Sequence, residues 1–219
     1  MQLVKNIDLL KKQIRKIKLS KKTIGFVPTM GYLHDGHLSL IKQASKECDI
    51  VVVSIFVNPT QFGPNEDLSR YPRDLKRDLN LLRKENTDIV FIPNTAIMYP
   101  DGFKTYVNVE GLGEVLCGVS RPSHFKGVAT VVAKLFNLVE PDAAYFGQKD
   151  AQQAIIINKM VEDLNMNVNV KVLPIVREKD GLAISSRNIY LNPKNRSNAV
   201  ILYKSLKCAK QVINKGVRN

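Results

Sequence analysis

Apolar residues along this chain follow two rhythms in turn. Leu3, Ile7, Leu10, Ile14 and Ile17 recur at the three-to-four-residue spacing of an amphipathic helix, which predicts a helix over about residues 2–18. Compact apolar runs follow: "TIGFVPT" (23–29), "DIVVVSIFVN" (49–58), "DIVFIP" (88–93), "AAYFG" (143–147) and "NVNVKVLPIV" (167–176). Their length and their Val and Ile content predict strands. Helical spacing separates them, from about Gly36 to Glu47, Asp74 to Glu85, 127–139 ("GVATVVAKLFNLV") and Ala151 to Leu164, with a last helix after Pro193. Residues 94–123 are rich in glycine and proline and read as irregular, with one strand expected at "TYVNV" (105–109).

Strands apolar on both faces, alternating with helices, predict a parallel sheet covered on both sides, the doubly wound α/β architecture. Ligands of such sheets sit beyond the carboxyl ends of the strands. Chemistry-bearing segments are therefore sought just after strands. "PTMGYLHDGHLSL" (28–40), "NPTQFG" (58–63), "GQKD" (147–150) and "REKDGLAISSR" (177–187) all stand there.

Composition changes this picture little. At 219 residues and 44% hydrophobic content the chain supports one sizeable core or one core with a small appendage. The net charge of +13 points to nucleic acid until it is mapped. Residues 1–22 carry +7 and residues 197–219 carry +5, leaving the other 174 residues at +1. The excess reads as solvated lysine faces on two terminal helices. Aromatics are 7%, Trp is absent and no basic–aromatic interleaving occurs, so no nucleic-acid partner is expected. No apolar run approaches the ~18 residues of a membrane span, so no membrane partner is expected either. No signal peptide is read at the N-terminus. Cys48, Cys117 and Cys208 are scattered and odd in number, which argues against a disulfide framework and suits a cytoplasmic protein.

His34 and His37, one helical turn apart in "HDGH", have three readings. They are polar groups satisfied within a loop. Or they are zinc ligands, which need a third ligand that only the distant His124 offers. Or they are N–H donors to phosphate at a helix N-terminus, where unpaired amides and the helix dipole favour anions. Lys149, between strand and helix, adds a mobile cation, and Gly147 permits close approach. Ser185, Ser186 and Arg187 add two hydroxyls and a guanidinium able to grip a carboxylate or phosphate in two places. Asn58, Gln61 and Gln153 supply neutral amides suited to a small ligand with hydroxyl and carboxylate groups. Topology gathers these segments at one sheet edge, as a nucleoside triphosphate site without a Walker loop. No nucleophile–base pair is evident, so positioning and charge neutralisation carry the reading, as in nucleotidyl transfer.

"PTMGYLHDGHLSL", "SIFVNPTQFGPNEDLSRYPR", "RPSHFKGV", "YFGQKDAQQ" and "VREKDGLAISSRN" together resemble the pantoate–β-alanine ligase family of the HIGH-motif nucleotidyltransferases, over about Thr23 to Leu191. The resemblance implies a Rossmann-like nucleotidyltransferase fold, with residues 1–175 binding ATP and pantoate. Residues 176–219 would begin a small C-terminal lid domain carrying the ISSR loop. It implies adenylation of (R)-pantoate by ATP, then attack by β-alanine, giving pantothenate and AMP. Met30, Gly31, Tyr32, Leu33, His34, Asp35, Gly36 and His37 would line the ATP site, with His37 as proton donor and His34 beside it. Gly147, Gln148, Lys149, Asp150, Val176, Ile184, Ser185, Ser186 and Arg187 would complete it, with Lys149 catalytic. Gln61 would touch pantoate and β-alanine, and Gln153 pantoate. Mg2+ would arrive with ATP, and Asp78 would be a second contact for it. A cytoplasmic homodimer is implied. The family usually has Met at the place of Ile184, and Ala and Glu at those of Tyr32 and Asp35. The family's lid continues further, so an incomplete lid and weak activity are expected of this chain.

Overall fold

The computed structural model describes residues 1–218; Asn219, the last residue of the expected lid segment, lies outside them. Six parallel strands form one sheet in the order β1-β4-β3-β2-β5-β6. They are β1 (Gln2–Val4), β2 (Ile24–Thr29), β3 (Ile50–Ile55), β4 (Ile89–Phe91), β5 (Ala143–Gly147) and β6 (Asn169–Leu173). Period-two alternation splits the sheet's apolar side chains between two cores. Phe26, Val52, Phe91 and Phe146 point to one face, which α1 (Ile7–Leu19), α6 (His124–Val139) and α7 (Ala151–Asp163) cover. Val27, Val53, Val90 and Tyr145 point to the other, under α2 (Asp35–Glu47) and α3 (Leu75–Lys84). Both faces are covered, as the continuous Val and Ile runs require.

The first helix is shorter than expected. Gln2–Val4 leave the helical pattern and pair in parallel with Ile89–Phe91. Asn6 starts α1 instead, its side chain accepting the N–H groups of Asp8 and Leu9. The i, i+4 spacing of Leu3 and Ile7 is shared by a helix and by a strand–turn–helix, and sheet pairing chose the latter. The strand expected at 105–109 is also absent; Val107 is held by a hydrogen bond from its N–H to Thr130 Oγ1 at 2.9 Å. Two short helices punctuate that region, α4 (Thr95–Met98) and α5 (Cys117–Ser120). The last expected helix is two, α8 (Pro193–Asn198) and α9 (Ile201–Asn214), and α9 buries no side chain.

Strand pairing opens the cleft. β2 pairs with β3 over six residues but with β5 only through Gly25–Ala143 and Phe26–Ala144. On the β5 side the Ile24 carbonyl accepts the Asp142 N–H and the Ile24 N–H donates to Asp142 Oδ2, whereas the Thr23 and Thr29 carbonyls accept from the β3 side. Even-numbered positions of β2 therefore turn their peptide groups toward β5. Pro28 is the even position where the ladder with β5 stops, and proline has no N–H to extend it. Past this point β2 and β5 part at the topological switch point.

Phe26 is fully buried in β2, edge-on to Phe136. Phe26→Ala is expected to lower the unfolding free energy by about 3–5 kcal/mol. Urea unfolding measures this; a loss under ~1 kcal/mol would place the side chain outside the core.

Candidate active site

The parted strands frame a cavity of about 220 Å³. His34, the N-cap of α2, and His37, in its first turn, stand on one wall with ring centroids 4.0 Å apart. Each ring is oriented by the backbone: His37 Nδ1 accepts the His34 N–H at 3.3 Å, and His34 Nδ1 accepts the Gly36 N–H at 3.2 Å. An Nδ1 that accepts carries no proton, so each neutral ring has its proton on Nε2. Burial lowers the His37 pKa to about 3, helped by His34 and then Lys149. Burial, followed by Lys149, lowers His34 to about 4. The pair is thus two neutral Nε2–H donors near pH 7. Among the described residues no three His, Cys, Asp or Glu side chains gather as a metal site.

The second wall comes from the end of β5 and the start of α7, where Gly147, Lys149, Asp150 and Gln153 border the cavity. Lys149 Nζ lies 2.9 Å from Asp150 Oδ1. The third is the 174–187 segment: Val176, Ile184, Ser185, Ser186 and Arg187 all reach the cavity. Ser185 caps the short helix that follows, and Ser186 Oγ donates to the Tyr32 carbonyl at 3.1 Å. Arg187 is held by both oxygens of Asp67, each at 2.8 Å, beneath the rings of Phe62 and Tyr71.

The floor is built on Asn58, which is 1% exposed. Its Nδ2 donates to Gln61 Oε1 and to the Gly127 carbonyl, both at 3.1 Å. Gln61 Nε2 meets Met30 Sδ at 3.1 Å. A side chain at Gly127 would overlap the Thr60 carbonyl, so only glycine lets α6 approach this turn.

Some expected residues lie elsewhere. Leu33 is fully buried in the core, and Asp35 is exposed beside the turn. Gln148 does not border the cavity. Gly31, Tyr32 and Asp78 line a separate hollow behind the turn. The magnesium contact expected of Asp78 does not suit its surroundings. Its Oδ2 accepts the Tyr32 N–H at 2.7 Å and its Oδ1 the Leu33 N–H at 2.8 Å. Burial pushes this carboxyl pKa up, against those two amides.

Tyr71, Arg121 and His124 are among the cavity residues left unassigned in the sequence. His124 Nδ1 lies 2.8 Å from the Gln61 carbonyl, and Arg121 Nη2 donates to that carbonyl at 3.3 Å while pairing with Glu66. Arg121 and His124 lie around the start of α6, not after a strand, where the topological rule does not look. The "RPSHFKGV" block was their only signal.

A doubly wound sheet with these donors at its switch point defines an α/β protein with a polar cleft beyond its strand ends. The family model described as pantoate-beta-alanine ligase matches residues 2–219. A pantothenate synthetase of Acetivibrio thermocellus is 62% identical over 216 residues, covering 99% of this chain and 77% of that protein. One from Thermosipho africanus is 60% identical over 219 residues, covering 100% and 79%. The crystal structure of pantothenate synthetase from Thermus thermophilus superposes with a TM-score of 0.94 at 50% identity, covering 99% of this chain and 77% of that one. That of pantoate-beta-alanine ligase from Francisella tularensis, complexed with beta-gamma ATP and beta-alanine, gives 0.89 at 41% identity, covering 94% and 79%. This chain belongs to the pantoate–β-alanine ligase family.

Because the folded pKa values of His34 and His37 lie well below 6.5, both rings keep their neutral-form nitrogen shifts in an NMR titration down to about pH 5. The unfolded rings protonate first, so the pair's contribution to stability is present above pH 6.5 and is lost as pH falls toward about 4 and 3. A midpoint between pH 6 and 7 for either ring would contradict this assignment.

Proposed function

We infer that this protein condenses (R)-pantoate with β-alanine at the expense of ATP, through pantoyl adenylate. One observation carries the reading: two neutral imidazole donors, Lys149 and Arg187 converge on the cavity where β2 and β5 part. The pantoate carboxylate attacks the α-phosphorus of ATP, and pyrophosphate leaves. The amine of β-alanine then attacks the acyl carbon, and AMP leaves with the bonding pair. A carboxylate nucleophile needs no base, which accords with the lack of a nucleophile–base pair. The work of the site is to hold two anions together.

The Nε2–H groups of His34 and His37 and the Lys149 ammonium offset charge on the phosphates. Gly147, Asp150, Val176 and the Ile184–Arg187 loop complete the nucleotide site in this reading. Gln61 receives pantoate and β-alanine, and Gln153 pantoate. Mg2+ enters as the ATP complex, held by phosphate oxygens. Residues 1–175 form the ATP- and pantoate-binding domain, and 176–219 begin the lid. The near-bare α9 supports that division, since it buries nothing against the sheet domain. The protein works as a cytoplasmic homodimer in this reading. Among the described residues no helix is long and apolar enough to cross a membrane.

Removing one such donor costs about 3 kcal/mol, so His37→Ala is expected to slow pyrophosphate release from ATP and pantoate by ~10²-fold or more, with β-alanine omitted and the circular dichroism unchanged. A wild-type rate in the variant would remove His37 from its role. Among a panel of hydroxy acids, pantoate is expected to give the fastest release; a faster competitor would replace it as substrate.

A further inference from the structure

We propose that Asp78 is a positioning residue for adenylation: by accepting the N–H groups of Tyr32 and Leu33 it sets the turn that aims the His34 and His37 donors. The proposal rests on the assignment of that histidine pair to nucleotidyl transfer.

The turn is one the chain does not adopt unaided. Gly31 and Tyr32 both have left-handed backbones, with φ of +80° and +50°. For tyrosine that conformation costs about 1–2 kcal/mol and persists only where neighbours hold it. Successive N–H groups in such a turn converge as an anion-binding nest. Here the anion is internal. Asp78 reaches the nest from α3, 45 residues along the chain, and is 1% exposed. Each oxygen takes one amide, at 2.7 and 2.8 Å. A buried carboxylate is costly without such partners, so the turn and the carboxylate each require the other.

The neighbours of the nest hold it in place. Leu33 anchors the turn in the core. The Arg77 guanidinium lies 5.2 Å from the Tyr32 ring centre and 3.8 Å from Asp78 Oδ1. A Cβ on Gly31 would stand 3.1 Å from Asp78 Oδ2 and 3.0 Å from Ile55 Cγ2, so the carboxylate fills the space glycine leaves. Tyr32 is also where Ser186 docks, through its carbonyl. His34 comes two residues later, and its backbone N–H is the group that orients His37. A tilt of the Tyr32–Leu33 peptides therefore passes to both imidazoles and to the 184–187 loop.

Asp78→Asn keeps the shape but sets an NH2 donor against one of the two amides. Pyrophosphate release from ATP and pantoate is expected to fall ~10–100-fold, the range for loss of a residue that orients a reacting ligand. The fall is expected in kcat, with the KM for pantoate unchanged. Aminolysis of supplied pantoyl adenylate by β-alanine, which needs no pyrophosphate departure, is expected to stay within about threefold of wild type, below that range. Gly31→Ala, which crowds the carboxylate from the other side, is expected to show the same split. Equal loss in both half-reactions, a wild-type release rate, or unfolding of both variants overturns the proposal. Recovery of Asp78→Asn in excess Mg2+ also overturns it, in favour of a metal contact. If unsubstituted protein releases no pyrophosphate, or His37→Ala releases it normally, the adenylation reading fails instead.

Discussion

The site depends on a short ladder. β2 and β5 share only two registered pairs before they separate, while their outer neighbours remain paired for five and six residues. The sheet is therefore tight below the switch point and open above it. Pro28 enforces the opening, because its missing N–H falls on the side that faces β5. Two walls of the cavity hang from the two freed ends: the 30–37 turn from β2 and the 147–153 turn from β5.

Electrostatics in the cavity follow from that opening. The cations at its edge each have a carboxylate partner: Lys149 with Asp150, Arg187 with Asp67, Arg121 with Glu66. The histidines carry no charge near pH 7, because the same enclosure that presents them makes ionisation costly. Any anion entering the cavity therefore competes with three protein carboxylates and meets two neutral donors. Polar side chains that look like ligand contacts also hold backbone here. Asn58 ties the floor to α6, and Asp78 ties α3 to the turn after β2. Hydrogen bonds within the protein fix the geometry of the enclosure, as electrostatic preorganisation requires.

Much of this was legible along the chain. Val- and Ile-rich runs separated by amphipathic helices specify a covered parallel sheet, because both faces of every strand need apolar partners. The rule that ligands sit after strands singled out His34, His37, Lys149 and the 184–187 loop, which line one cavity. His34 and Lys149 are local in character: each stands a few residues past the end of its strand. The family resemblance named the chemistry, and the family match supports it.

Tertiary structure decided the rest. Gln2–Val4 became a strand because β4 offered an unpaired edge, which no window of local spacing records. Arg121 and His124 joined the cavity because Gly127 lets α6 close on the 59–61 turn. Asp78, which the family resemblance offered as a magnesium contact, was claimed by amides from a segment 45 residues earlier. The sequence determined which groups stand at the strand ends, since that depends on neighbours along the chain. Only the fold determined which of them face the cavity and which hold it open, since that depends on contacts across it.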